Sequence, residues 1–355
     1  MAENGRIDVH HHAVPPAFIA ALERRGITHI AGGPLPKWDA ERSLAVMDDN
    51  DIHSAILSLS APGVYFGDLG EARDLARACN EFCAGLRDRS PSRFGQFAVL
   101  PMPFTDHACR EATYALDTLK ADGIVLLGSS EGVFLGDPSL DELMHELNRR
   151  AAVVFVHPNL HPTSDTLSLQ APGFLVEFLC DTTRAATNLI MTGTLEKYPR
   201  ITWILAHAGG FLPYIAWRLS LANLMADIAV NVPQGVLTYV RRFYFDTALS
   251  PSPFAMAALQ QLVEPSHILF GSDFPFAPAP LTANQVAQLD ELTIWSQDEK
   301  DGVRRGNALS LFPRFGAAGE QIASRQTVKR ASPAVRLRQY LQTPMLAYAE
   351  RMRKR

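Results

Sequence analysis

Arg6-Ile7-Asp8-Val9-His10-His11-His12 decides how the rest of the chain is read, because a short apolar run close to the N-terminus ends in three consecutive imidazoles. Side chains alternate along a strand, so His10 and His12 share one face and His11 takes the other. Two imidazoles on one face of a strand end can bind a divalent metal ion, for which neutral imidazole is the commonest protein ligand. A cloning tag or a solvated histidine cluster would look the same in isolation, so the choice depends on what the downstream sequence supplies.

Downstream, short apolar and β-branched runs alternate with longer segments of helical period, the rhythm of βα units around a parallel sheet. Counting the first, eight runs are present: Ile7 to His10, His53 to Leu59, Phe94 to Leu100, Gly123 to Leu127, Ala152 to His157, Ile201 to His207, Phe243 to Thr247 and His267 to Gly271. Helix-like stretches lie between them at Glu71 to Arg89, Asp106 to Ala121, Ser139 to Arg150, Phe174 to Lys197 and Pro253 to Val263. Eight strands with intervening helices predict an α/β fold of the (β/α)8 TIM-barrel type, a length that 355 residues fill as one domain. No GxGxxG follows the first run, which argues against a dinucleotide-binding sheet. His29 to Trp38, with Gly32-Gly33-Pro34-Leu35-Pro36, lacks periodicity and reads as a loop over the first strand's C-terminal end, either a plain connection or a substrate wall carrying Lys37 and Trp38.

The strand ends decide between tag and site. His157 closes Val153-Val154-Phe155-Val156, His207 closes Trp203-Ile204-Leu205-Ala206, and Asp273 follows Ile268-Leu269-Phe270-Gly271-Ser272. A lone histidine after a strand is usually structural. His, His, His and Asp at four strand ends, on the barrel face where active sites are built, point to a metal centre. His29, His53, His107, His145, His161 and His267 lack such company and are expected to be surface or structural residues.

Composition narrows the partners. The formal charge is −4, so nothing calls globally for nucleic acid or an anionic membrane, and a small molecule is the expected partner. Cys79, Cys83, Cys109 and Cys180 follow no zinc or redox spacing, and no signal peptide or long apolar span is present, which predicts a reduced, cytoplasmic protein. Cys79 and Cys83 are expected as buried thiols. From Gly316 to Arg355 nine Lys or Arg face two Glu, a local excess of +7 that leaves the rest at −11. We therefore separate residues 1–315, the barrel, from a basic extension at 316–355. Within the extension Pro333 to Leu341 and Met345 to Met352 are candidate basic amphipathic helices in a tail that either is solvated or packs on the acidic body or a second subunit.

Four motifs, Asp8-Val9-His10-His11-His12, Phe155-Val156-His157-Pro158, Leu205-Ala206-His207-Ala208-Gly209-Gly210 and Gly271-Ser272-Asp273-Phe274-Pro275-Phe276, resemble the amidohydrolase superfamily in its decarboxylase-rich branch. That branch includes aminocarboxymuconate-semialdehyde, gamma-resorcylate and 6-methylsalicylate decarboxylases. The stretches Trp38 to Asp48 and Ala55 to Gly63 look most like the last of these. The resemblance implies one divalent ion on His10, His12, His157 and Asp273, with zinc favoured and manganese the alternative, and with His207 and Asp273 as the catalytic acid/base pair. It implies that Arg218, eleven residues after His207, holds a substrate carboxylate in a neighbouring subunit of a homodimer or higher oligomer. An arginine there can instead only solvate its helix. No second carboxylate-binding arginine is placed in the first long loop. The implied activity is non-oxidative decarboxylation of a small phenolic or enol-type acid. Its competitors are hydrolysis or hydration by a metal-bound hydroxide, and a non-catalytic binding protein, which the intact ligand set disfavours.

Overall fold

The computed structural model describes residues 5–167 and 169–317, and in the tail residues 320, 322–325, 328, 332–334, 337 and 341. Eight parallel strands follow one another around a barrel: β1 (Arg6–His12), β2 (Ile52–Ser58), β3 (Phe94–Val99), β4 (Gly123–Leu127), β5 (Val153–His157), β6 (Thr202–Leu205), β7 (Tyr244–Asp246) and β8 (Ile268–Leu269). Each falls on one of the eight apolar runs of the sequence. β8 returns to β1 through Val9 N–H to Phe270 O (3.0 Å), Asp273 N–H to His10 O (2.8 Å) and His12 N–H to Phe274 O (2.7 Å), so the barrel closes on the segment that carries the histidines.

Alternation along the strands splits the core into two layers. Ile56, Phe97, Val125, Phe155, Ile204 and Leu269 fill the barrel interior. Their neighbours, including Leu57, Ala98, Leu126, Val156, Leu205 and Phe270, pack outward against the helices. The helix over Leu69–Arg89 buries Cys79 and Cys83, which are free thiols, and burial pushes the Cys83 thiol up to about 12.

Two features differ from expectation. The 29–38 segment contains a two-residue hairpin, His29–Ile30 against Gly33–Pro34, too short for any periodicity to register. A helix at Ala279–Glu291, absent from the sequence reading, starts with Pro at its first turn and packs against the helix Ala40–Asp49. Among the described residues no helix is long and apolar enough to cross a membrane. The two candidate tail helices, Pro333 to Leu341 and Met345 to Met352, fall almost entirely outside the described residues. The described part of the tail lies under the barrel. Glu320 pairs with Arg305 (2.8 Å), and Arg325 reaches Thr202 at the start of β6 and sits 5.9 Å from the Tyr244 ring at the start of β7.

Candidate metal centre

The C-terminal ends of β1 and β5 and the turn after β8 bring His10, His12, His157 and Asp273 together, with one potential ligand atom from each all within 4.8 Å of one another. All four are buried. His10 Nε2 lies 3.0 Å from His12 Nε2, and the Asp273 carboxylate lies 3.3 Å from the first and 3.1 Å from the second. Ligand atoms around a tetrahedral zinc ion with bonds of ~2.0–2.1 Å are about 3.3 Å apart, so His10, His12 and Asp273 already have the spacing of a coordination sphere.

The other ring nitrogens fix the tautomers. His10 Nδ1 donates to Asp246 Oδ2 (2.7 Å), His12 Nδ1 to the Ser58 hydroxyl (3.0 Å), and His157 Nδ1 to Pro158 O (2.8 Å). Each imidazole that donates from Nδ1 keeps a lone pair on Nε2. Three Nε2 atoms and a carboxylate therefore converge in a buried space, a donor set suited to a cation once each imidazole is neutral.

Burial pulls the His10 imidazole down, yet the carboxylates of Asp246 and Asp273 together outweigh it and lift His10 to about 10 in the metal-free protein. His157 is driven well below its ordinary value by burial and by the neighbouring histidines. Burial raises the Asp273 carboxyl, but charge and hydrogen bonds from His10 and His12 override it and hold the group well below the usual carboxylate range. The protein thus presents an ionised Asp273, as its place on an ion requires.

His207 lies beside this set with its ring centroid 4.9 Å from that of His10. Its backbone N–H donates to Asp246 Oδ1 (2.8 Å) and its ring Nδ1 to Ala248 O (3.1 Å), which leaves Nε2 as a base. Burial, then the charge of His10, lowers its pKa, so His207 rests neutral rather than titrating near neutrality as a free imidazole does. Arg218 is exposed on the helix Leu212–Leu219, directly after Trp217, whereas the four candidate ligands are buried.

Two carboxylates escaped the sequence reading. Asp246 ends β7 as His157 ends β5, so the same strand-end rule would have found it; it ties His10 to His207. Asp181, on the helix Gly173–Met191, has no such signal. It is fully buried, accepts hydrogen bonds from the Ser129 hydroxyl (2.5 Å) and the Asn159 N–H (2.9 Å), and burial lifts its carboxyl to about 6. Asn159, and Ser130 next to Ser129, line a cleft over the ends of β2, β3 and β4 with about 460 Å³ of unfilled space, its open mouth included. Val99, Met102, Val125 and Leu127 form its apolar wall; Glu131 is the one charged residue lining it.

A family model described as amidohydrolase matches residues 7–314. The chain is 38% identical over 320 residues to the 6-methylsalicylic acid decarboxylase of Penicillium expansum, which spans 87% of this chain and 97% of that one. A crystal structure of an amidohydrolase II matches with a TM-score of 0.81 and 32% identity over 87% of this chain and 99% of the other. The dihydroxybenzoic acid decarboxylase of Polaromonas sp. JS666, solved with bound manganese and the inhibitor 2-nitroresorcinol, matches with a TM-score of 0.75 and 26% identity over 88% and 98%. With its barrel, its motifs in order and a match along most of its length, the chain belongs to the amidohydrolase family.

Proposed function

We propose that this protein is a metal-dependent carboxy-lyase that removes carbon dioxide, without oxidation, from a small phenolic acid of the salicylate type. The observation that carries the proposal is the convergence of three Nε2 atoms and an ionised Asp273, each imidazole locked by an Nδ1 hydrogen bond. His10, His12, His157 and Asp273 are the proposed ligands of one divalent ion. Zinc is assigned first because three imidazoles and a carboxylate suit it, while the manganese in the Polaromonas enzyme makes metal analysis the deciding measurement. Held by these four residues, the ion would supply Lewis-acid chemistry to such a substrate.

The chain's own residues then handle protons. His207, neutral at rest, is a base for the substrate's hydroxyl proton, and that proton is returned to the ring carbon that bears the carboxylate, either directly from His207 or after passing to Asp273, which is ionised at rest. Carbon dioxide leaves as the ring regains aromaticity. The 29–38 segment holds no arginine to match a second carboxylate, which favours a monocarboxylic acid. We assign Arg218 to the substrate of a neighbouring subunit in a homodimer, and residues 316–355 to an extension that the metal centre does not need.

The test is metal analysis of the purified protein together with a panel of ortho-hydroxybenzoic acids assayed for carbon dioxide, set against lactones assayed for ring opening. Carbon dioxide release in deuterium oxide should place deuterium on the carbon that carried the carboxylate. Lactone opening without any decarboxylation would move the assignment to a hydrolase acting through a metal-bound hydroxide.

A further inference from the structure

His11 and Trp38, conspicuous in the sequence yet unused by the site above, are joined by the structure. β1 carries an irregularity in its pairing with β2: Asp8 pairs with Ala55 and His11 with Leu57, three residues of advance against two. The extra residue turns Asp8 to the outer side with His11, whereas His10 and His12 face the barrel axis. There Asp8 Oδ1 accepts the backbone N–H of His10 (3.0 Å) and of Ser272 (3.1 Å). Its Oδ2 accepts the Ser272 hydroxyl (2.5 Å) and lies 3.0 Å from His11 Nδ1. The four partners are donors to one buried carboxylate, so His11 carries its proton on Nδ1. Its Nε2 is then an acceptor, met by the Ser43 hydroxyl at 2.9 Å, and Ser43 Oγ in turn accepts the Trp38 indole N–H at 2.8 Å.

With His11 neutral, the hydrogen bonds run in one direction, from the indole of the 29–38 segment to a carboxylate that grips the backbone on both sides of the barrel seam. One gripped residue is His10, and the other precedes Asp273. We propose that His11 is a positioning residue: by holding the Asp8 carboxylate from the outer side, it sets the separation of the β1 and β8 ends and so of His10 and Asp273. The inference rests on the metal-centre assignment above.

Zinc affinity of the full-length protein, measured by competition with a chromogenic chelator well below the melting temperature, provides the test. His11→Phe keeps the ring volume and removes both hydrogen bonds; it should weaken zinc binding by about 10- to 100-fold, the usual cost of losing a partner behind a ligand. His11→Asn restores a donor to Asp8 and should recover most of that loss. A His11→Phe protein that melts lower but binds zinc as the wild type does would show a purely structural role and overturn the inference alone. A wild-type protein with no zinc affinity would overturn the metal centre and this inference together. Should His11→Phe fail to fold, nitrogen-15 NMR of the wild type still decides: the Nδ1–H form of His11 is required, and an Nε2–H form overturns the proposal.

Discussion

His207 and Asp273 both hold left-handed backbone, at φ of 53° and 61°, a region that non-glycine residues seldom adopt and that costs on the order of 1–3 kcal/mol. Strain of that kind at the two residues assigned to proton transfer is consistent with side chains aimed by the turns that carry them. His207→Asn should lower turnover by about 10²- to 10⁴-fold with a full equivalent of metal retained, whereas Asp273→Asn should lose both metal and turnover. Metal content and rates on the same preparations separate the two, and a near-normal His207→Asn enzyme would remove His207 from the mechanism. The metal-free protein also makes a proton prediction at His10. Its pKa is raised to about 10, so at neutral pH this imidazole is protonated and an incoming ion must displace the proton. Apparent zinc affinity should therefore rise about tenfold per pH unit between pH 6 and 8. Calorimetry in buffers of different ionisation enthalpy would detect the released proton, and a flat pH profile would mean that His10 is already neutral.

The helix Gly173–Met191 shows how one element can support a site it does not enter. It leaves no room beside Gly210, where a Cβ would lie 2.4 Å from Leu179 O, and its Thr183 hydroxyl accepts the Phe211 N–H at 2.8 Å, so it fixes the turn that follows His207. Its Asp181 is buried at a cost. An aspartate whose folded pKa of about 6 exceeds its unfolded value of about 3.9 stabilises the fold fully only below the unfolded value, and that contribution is lost as pH rises through 6. Asp181→Asn, which keeps hydrogen bonds to Ser129 and Asn159 within reach, should match the wild type near pH 4. Above pH 7 it should be more stable by up to about 3 kcal/mol. Melting curves across that range check it, and a difference that does not grow with pH would show the carboxyl to be unperturbed. No run or spacing in the sequence marks Asp181, because its burial is set by Ser129 and Asn159, contributed by two other βα connections. The eight strands were legible, since short apolar, β-branched runs spaced by helical segments keep their meaning without tertiary information. The bulge that turns Asp8 outward was not, because it is defined by pairing with β2 and by Ser272, far along the chain. The helix Ala279–Glu291 has a weak apolar periodicity and went unread for that reason.

Taken as a whole molecule, the barrel has a floor that its tail touches and a surface that exposes aromatic rings. Arg305, buried beneath the seam, donates to Gly5 O (3.2 Å), to Phe315 O (2.9 Å) and to Glu320, so removing 316–355 takes away its only carboxylate among the described residues. That deletion should lower stability, by about 1–3 kcal/mol for the stranded guanidinium, and leave the metal bound; loss of metal would show that the tail shapes the centre. Elsewhere Tyr214 (88% exposed), Trp217 (73%) and Phe254 (85%) stand on two helices that pack together, Leu212–Leu219 and Pro253–Leu262, with Arg218 among them. Aromatic and arginine side chains of this kind are the usual anchors of a protein interface, and a self-complementary face is what a two-fold dimer requires. If Arg218 serves a neighbouring subunit's site, each site draws on two chains. An Arg218→Ala homodimer and a His207→Asn homodimer should then both be impaired, for different reasons. Mixing them with subunit exchange forms hybrid dimers in which one site has lost both residues and the other has both intact. About a quarter of the wild-type rate per total subunit is expected when half of the dimers are hybrids, as random exchange of equal amounts gives. Exchange verified by mass spectrometry with no recovery of rate would place Arg218 outside any shared site.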